Sequence, residues 1–206
     1  MTPEEAIELV VAGFPFEKYT DHERGAYLTI ARSALRYLPR GASVLDFGCG
    51  PCDKTAVLQH LGYRCFACDD LRDDWHGTAG ARDRIIAFAR ANGIEFRLTS
   101  DGASPFENQW FDLLMMLDVL EHLHDSPRDL LNDLLLRVKP QGLFLATVPN
   151  GVNIRKRLDV IRGRTNLPRY DGYYWYPGPW RGHIREYVRE DLVKLAGYLG
   201  LEIVEL

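Results

Sequence analysis

Long apolar runs are missing from this chain of 206 residues. The most hydrophobic stretch, LLMML at 113–117, is hemmed in by Asp112 and Asp118. A membrane-crossing helix needs about 20 apolar residues, so none is expected. Cationic residues are missing from the opening MTPEEAIELVV, where Glu4, Glu5 and Glu8 stand in place of the Lys or Arg of an export signal. No small-residue cleavage site follows, and a cytoplasmic location is the expectation. Cysteine is scarce, four in all. A chain of this size has no need of disulfide stapling, which fits a reducing compartment. Charge of one sign is missing too: 25 Lys and Arg stand against 29 Asp and Glu, a net -4, which argues against a surface that grips nucleic acid throughout. What remains is 46% hydrophobic and 26% charged, ordinary globular composition that excludes disorder, collagen and repeat arrays. One domain over residues 1–206 is the expectation.

Hydrophobic period gives the class of fold. A Thr20-x-x-Glu23 capping box precedes Tyr27, Ile30, Ala31, Ala34, Leu35 and Leu38, so residues 1–40 read as N-terminal helices ending before Pro39. Beyond them, short apolar runs alternate with helical patterns: SVLDFG (43–48), a helix over 53–62, RCFACD (64–69), a helix ending ARANG, IEFRL (94–98), FDLLMML (111–117), a helix opening at Ser126-Pro127, and GLFLATV (142–148). Strands that are apolar throughout fit a sheet covered on both faces. The expectation is a doubly wound α/β fold, mostly parallel, with its ligand at the carboxyl ends of the strands.

The first such end reads Asp46-Phe47-Gly48-Cys49-Gly50-Pro51-Cys52-Asp53, and three chemistries compete for it. A dinucleotide fingerprint would require glycine where Asp53 stands, and a carboxylate there repels a diphosphate. A redox reading uses Cys49-Gly50-Pro51-Cys52, and a zinc reading adds Cys65 and Cys68. Side chains three apart on a strand point to opposite faces, so Cys65 and Cys68 do not reach one metal, and four packed cysteines are the simpler account. The third reading needs an acid ending the first strand, two glycines, and a second acid about 20 residues on for a ribose diol. Asp46, Gly48, Gly50 and Asp69 meet it. A ligand with a ribose, no phosphates, and cationic sulfonium and ammonium groups would suit Asp53 and Asp46 together, which describes S-adenosylmethionine.

These motifs resemble a class I S-adenosylmethionine-dependent methyltransferase, particularly the bacterial group of ubiquinone-biosynthesis O-methyltransferases and surface-polysaccharide methyltransferases. VLDFGCGPC is similar to the first motif of that family, FACDD to the ribose-binding strand end, SPFENQWFDLLMMLDVLEHLHD to its central motif, LLLRVKPQGLFLATVPN to the turn into strand five, and GHIREYVREDLVKLAGYLGLEIVEL to its C-terminal stretch. The resemblance implies a Rossmann-like sheet. It further implies that Asp46 orders the loop and the methionine amine, Gly48 and Gly50 allow close approach, Asp69 holds the ribose, Asp101 meets the adenine amine, and Leu117 and Asp118 line the cofactor. Cys52 and Gln141 stand where the family has glycine. LEIVEL is read as a sixth strand, with a seventh not visible and expected from a further C-terminal tail. Rival readings are a cofactor-binding protein without catalysis and a redox or zinc module on Cys49 and Cys52.

For a base, His122 and His183 are the candidates by position, with His124 beside them. Glu121, His122 and His124 form an incidental cluster, and no metal is expected. Residues 151–189 carry nine Lys or Arg against Asp159, Asp171 and Glu186, and Tyr170, Tyr173, Tyr174, Trp175, Tyr176 and Trp180 crowd the same segment. This reads as a lid or substrate insertion offering stacking surfaces and cationic donors to a small-molecule or glycan-type acceptor. RNA and a membrane surface bearing a lipid-linked substrate are the alternatives, and nucleic acid is the less expected of the two.

Overall fold

A computed structural model describes residues 1–78, 80–99, 104–106, 109–165, 167 and 169–206. Two helices open the chain, α1 (Pro3–Gly13) and α2 (Arg24–Tyr37). The Thr20–Glu23 box does not form: Thr20 is buried in a 3-10 turn and Glu23 takes the cap position without a side-chain bond. The capping box sits instead on α1, where Thr2 and Glu5 satisfy each other's backbone amides ahead of Pro3, a residue whose missing N–H costs nothing in the first turn.

Strands β1 (Ser43–Phe47), β2 (Arg64–Asp69), β3 (Glu95–Leu98), β4 (Phe111–Leu117) and β5 (Val138–Thr147) form one sheet in the order β3-β2-β1-β4-β5. The pairings β1–β2, β1–β4 and β2–β3 are parallel. Bonds from Phe111 N to Arg137 O and from Asp118 N to Thr147 O, one at each end, give β4–β5 the same sense. Parallel neighbours need crossovers, and α3 (Asp53–His60), α4 (Ala81–Ala91) and α5 (Pro127–Leu135) supply them. The doubly wound expectation holds. From β1 the chain winds outward through β2 to β3, then returns to place β4 on the other side of β1, so the order reverses between β1 and β4. In open α/β sheets such a reversal leaves a crevice at the strands' carboxyl ends.

All five residues of central β1 are buried. Edge strand β3 departs from the apolar expectation: Glu95 and Arg97 are exposed and pair at 2.5 Å, the charged dressing that discourages edge-to-edge pairing. LEIVEL also departs. Residues 201–206 form no strand, and Ile203, Val204 and Leu206 stay exposed, since strand propensity without a partner ladder makes no strand.

The chain divides into two compact units. The first, Met1–Leu117 with Asp133–Leu145, holds the main core, in which Tyr27, Val44, Leu58, Leu61, Tyr63 and Met115 are essentially inaccessible. At its amino-terminal strand ends, Asp112 gathers Ser43 N (2.7 Å), Ser43 Oγ (2.8 Å) and Lys139 Nζ (2.8 Å), tying β1, β4 and β5 in register. The second unit, Asp118–Asn132 with Ala146–Leu206, carries α6 (Ile154–Ile161), α7 (Tyr170–Tyr174) and α8 (Arg189–Tyr198).

Candidate functional site

The loop between β1 and α3 is built by its neighbours. Gly48 N and Cys49 N both donate to Cys68 O, at 2.8 and 3.2 Å, and Gly50 N donates to Asp69 Oδ2 at 2.8 Å. The other Asp69 oxygen accepts from Leu71 N at 2.7 Å. Gly48 (φ +74°), Gly50 (φ +52°) and Cys52 (φ +65°) are all left-handed. Cys52 therefore keeps the backbone conformation that glycine adopts without penalty. A Cβ on Gly50 would meet nothing within 4 Å, so the backbone there borders open space.

Asp46 is 1% exposed. Its Oδ2 accepts from Thr55 Oγ1 at 2.5 Å, while Oδ1 meets no donor among the described residues. Burial, only partly offset by the Thr55 hydroxyl and nearby Lys54, pushes its carboxyl up to about 7. A buried carboxylate oxygen with no donor is costly, and a cationic ligand would relieve it. Burial likewise raises Asp69 above the usual carboxylate range, against the two amides that hold it. Asp53 is buried and accepts from the Tyr27 hydroxyl at 2.7 Å, so that carboxylate is taken by a phenol that burial holds neutral. Leu117 is buried at the end of β4. The next residue, Asp118, is left-handed at φ +58°, and its Oδ1 accepts from Thr147 Oγ1 at 3.1 Å. Strained non-glycine backbone of this kind concentrates at functional sites. Asp101 lies outside the described residues.

The four cysteines are free and buried; burial raises the Cys49, Cys65 and Cys68 thiols, and at Cys52 the contact with Cys49 pulls down but burial and nearby carboxylates leave the thiol raised. Cys49 Sγ and Cys52 Sγ lie 3.5 Å apart. Cys65 belongs to the main core cluster and Cys68 does not, in keeping with opposite strand faces. These are packing thiols rather than the electropositive, accessible thiolates of redox centres.

In the second unit, the structure joins the two candidate histidines and separates out the third. His122 and His183 stack edge to face with ring centroids 4.9 Å apart. His122 Nδ1 lies 2.7 Å from Arg181 O, and His183 Nδ1 lies 3.6 Å from Glu186 Oε1. His124 is tied to Trp180 O instead. Glu121, the residue before His122, is fully buried: its backbone carbonyl accepts from Ile184 N at 2.7 Å, and neither carboxylate oxygen has a donor among the described residues. Burial raises its carboxyl above the usual range. The grouping of Glu121 with His183 had no local signal, because the partners come from distant segments. Among the described residues of 151–189 only Tyr187 is buried. Neither α6 nor α7 has a buried residue, and Tyr170, Tyr174 and Trp175 are 71%, 61% and 78% exposed.

Comparison with known proteins agrees with this geometry. A family model described as a methyltransferase domain matches residues 19–206. The chain is 23% identical over 164 residues to a ubiquinone biosynthesis O-methyltransferase of Rickettsia canadensis, a match covering 79% of this chain and 64% of the relative's length. Among solved structures, a SAM-dependent methyltransferase from Thermotoga maritima aligns with a TM-score of 0.59 at 17% identity, over 98% of this chain and 82% of that one. A Bacillus halodurans protein assigned as a methyltransferase aligns with the same TM-score at 20% identity, over 85% and 70%. At such identities the likeness is one of fold.

Proposed function

Because the chain belongs to the methyltransferase-domain family, we propose that it transfers a methyl group from S-adenosylmethionine to an oxygen of a small-molecule or glycan-type acceptor. The observation that carries the cofactor half is the buried Asp46 carboxylate, with one oxygen lacking a donor, at the head of a glycine loop braced by Asp69. In this reading Asp46 meets the methionine ammonium through the ordered loop. Gly48 and Gly50 leave room for close approach. Asp69 keeps spare lone pairs for ribose hydroxyls, since each carboxylate oxygen accepts more than one bond. Leu117 and Asp118 are assigned to the cofactor lining. S-adenosylmethionine supplies a carbon already activated by sulfonium, so the chain's work is alignment and exclusion of water.

On the acceptor side, His122 and His183 are the groups assigned to a nucleophile's hydroxyl, and the exposed aromatic and basic residues of 151–189 to its rings and anionic groups. O-transfer is supported by the name of the Rickettsia relative. Calorimetric titration with S-adenosylhomocysteine tests the first half: binding is expected, and none by folded protein overturns it. A screen with methyl-labelled cofactor over sugar nucleotides, lipid-linked saccharides, catechols and RNA tests the second. Turnover of a hydroxylated small molecule or glycan is expected, and turnover confined to RNA or to amines overturns the acceptor assignment.

A further inference from the structure

We propose that Tyr27 is a positioning residue for the cofactor: from α2 its hydroxyl holds the Asp53 carboxylate aside, and so keeps that charge away from the amino-acid end of S-adenosylmethionine. This role rests on the S-adenosylmethionine reading of the β1 loop and adds a residue from a different element.

Three consecutive residues open α3, and each faces a different partner. Asp53 Oδ2 accepts from the Tyr27 hydroxyl at 2.7 Å, Lys54 Nζ lies 3.9 Å from Glu23 Oε2, and Thr55 Oγ1 donates to Asp46 Oδ2 at 2.5 Å. Glu23, at the cap of α2, and Tyr27 are spaced as neighbours on one helix face, so one side of α2 reaches two adjacent residues of α3. Tyr27 is 0% exposed and Asp53 1%. A buried carboxylate keeps its charge where a donor meets it, and a phenol does so without bringing a positive charge. Burial and the Asp53 charge hold that phenol neutral, so it stays a donor.

A carboxylate near a helix N-terminus is drawn to the amides of the first turn. Asp53 is turned to Tyr27 instead, and Cys52, at the cap position, makes no side-chain bond to those amides. Asp53 is also close enough to Asp46 to oppose its ionisation. The two acids therefore differ in what they do. Asp46 keeps an oxygen with no donor among the described residues and is assigned to the methionine ammonium, whereas Asp53 is already engaged from behind. S-adenosylmethionine carries a carboxylate beside that ammonium. Freed of the hydroxyl, Asp53 gains most by turning to the first-turn amides, where its charge repels the carboxylate of the ligand.

Calorimetry on full-length protein with two ligands tests this role and needs no methyl acceptor. S-adenosylhomocysteine carries the amino-acid end, and methylthioadenosine lacks it. The parent is expected to bind both. Tyr27→Phe keeps the buried ring and removes the donor, so S-adenosylhomocysteine should bind about three- to tenfold more weakly, the scale of a charge at a helix N-terminus, with methylthioadenosine unchanged. Asp53→Asn should bind S-adenosylhomocysteine at least as tightly as the parent. In the Tyr27→Phe/Asp53→Asn double variant the loss should disappear, because no acid is left to release. Circular dichroism confirms that each variant is folded. Should Tyr27→Phe fail to fold, Asp53→Glu, with its carboxylate carried past the hydroxyl by an added methylene, should show the same selective loss with Tyr27 intact. A tyrosine with a packing role alone weakens both ligands alike and is not rescued at Asp53. Equal losses for the two ligands, no loss in Tyr27→Phe, weaker binding by Asp53→Asn, or no rescue in the double variant would overturn the role of Tyr27 and leave the cofactor reading standing. A folded parent that binds neither ligand overturns the cofactor reading and this role with it.

Discussion

Asp69, the last residue of β2, accepts the amide hydrogen of Gly50 at 2.8 Å and so fixes the loop that follows β1. The same carboxylate accepts from Leu71 N, whereas neighbouring Asp70 accepts from Arg72 N at 3.0 Å. Asp69 is therefore the one of the tandem acids that faces the glycine loop. Asp69→Ala should weaken S-adenosylhomocysteine binding by about 1.5–3 kcal/mol, the range for hydrogen bonds to a charged group, with Asp70→Ala nearly silent. Calorimetry on the two variants decides it, and the opposite ranking would move the ribose contact one residue along.

Asp46 gives the protein a pH signature. Its carboxyl stands near 7 in the folded chain, above the usual value of about 3.9 for the unfolded one. Between those values the folded state holds a proton that the unfolded state has released, so stability falls as pH rises from about 4 to about 7 and is level outside that window. Asp46→Asn, which cannot ionise, is the reference, with Thr55, Lys54, Asp53 and Asp69 facing the position in both proteins. Thermal melts should show the parent losing ground to Asp46→Asn across that window. S-adenosylmethionine affinity should rise with pH over the same range, because a cationic ligand favours the ionised acid. A flat affinity profile would separate Asp46 from the ligand.

The fold was legible because its signals are local. Alternating strands and helices, and the acid-glycine pattern at Asp46, Gly48, Gly50 and Asp69, are each contained in a short stretch of chain. Two local signals misled. Thr20 and Glu23 satisfy a capping template, yet burial of Thr20 in a 3-10 turn took precedence. LEIVEL has strand composition, yet a strand exists only as part of a ladder. The trio of Glu121, His122 and His183 was half legible. Glu121-His122 stands out as a pair, but sequence proximity suggested His124 as the third member, and only the bond from Ile184 N to Glu121 O shows why His183 takes that place.

The cysteines should behave as packing residues. Cys49 and Cys52 are buried, and burial together with nearby carboxylates raises the Cys49 thiol. Native protein should resist thiol alkylation until it unfolds. The Cys49→Ser/Cys52→Ser variant should lose roughly 1–3 kcal/mol of stability through buried hydroxyls, while keeping S-adenosylhomocysteine affinity. Fast alkylation of the native chain would restore a redox reading.

Strand β5 makes opposite demands on two adjacent positions near its start. Gln141 is exposed at φ +65°, a left-handed conformation that costs a side-chain-bearing residue roughly 1–2 kcal/mol. Gln141→Gly removes that strain at a smaller cost in unfolded-state entropy and should gain about 0.5–1 kcal/mol. At Gly142 an added Cβ would lie 2.6 Å from Val138 Cγ1 and 2.9 Å from Lys139 O. Gly142→Ala should therefore lower stability. Denaturant melts that moved the two variants in the same direction would contradict this account.

The surface aromatics at the end of α7 carry the last prediction. Tyr174 and Trp175 meet edge to face at 4.8 Å, and both are largely exposed. Little apolar area is lost from the core when either is truncated, so Tyr174→Ala and Trp175→Ala should leave the melting temperature within the small range of surface substitutions. If the segment serves an acceptor by stacking, the same variants should raise the acceptor's KM, by about 0.5–1.5 kcal/mol per ring, with S-adenosylhomocysteine affinity unchanged. A loss of stability with unchanged KM would instead make these rings ordinary packing, and the acceptor would have to be sought elsewhere on the second unit.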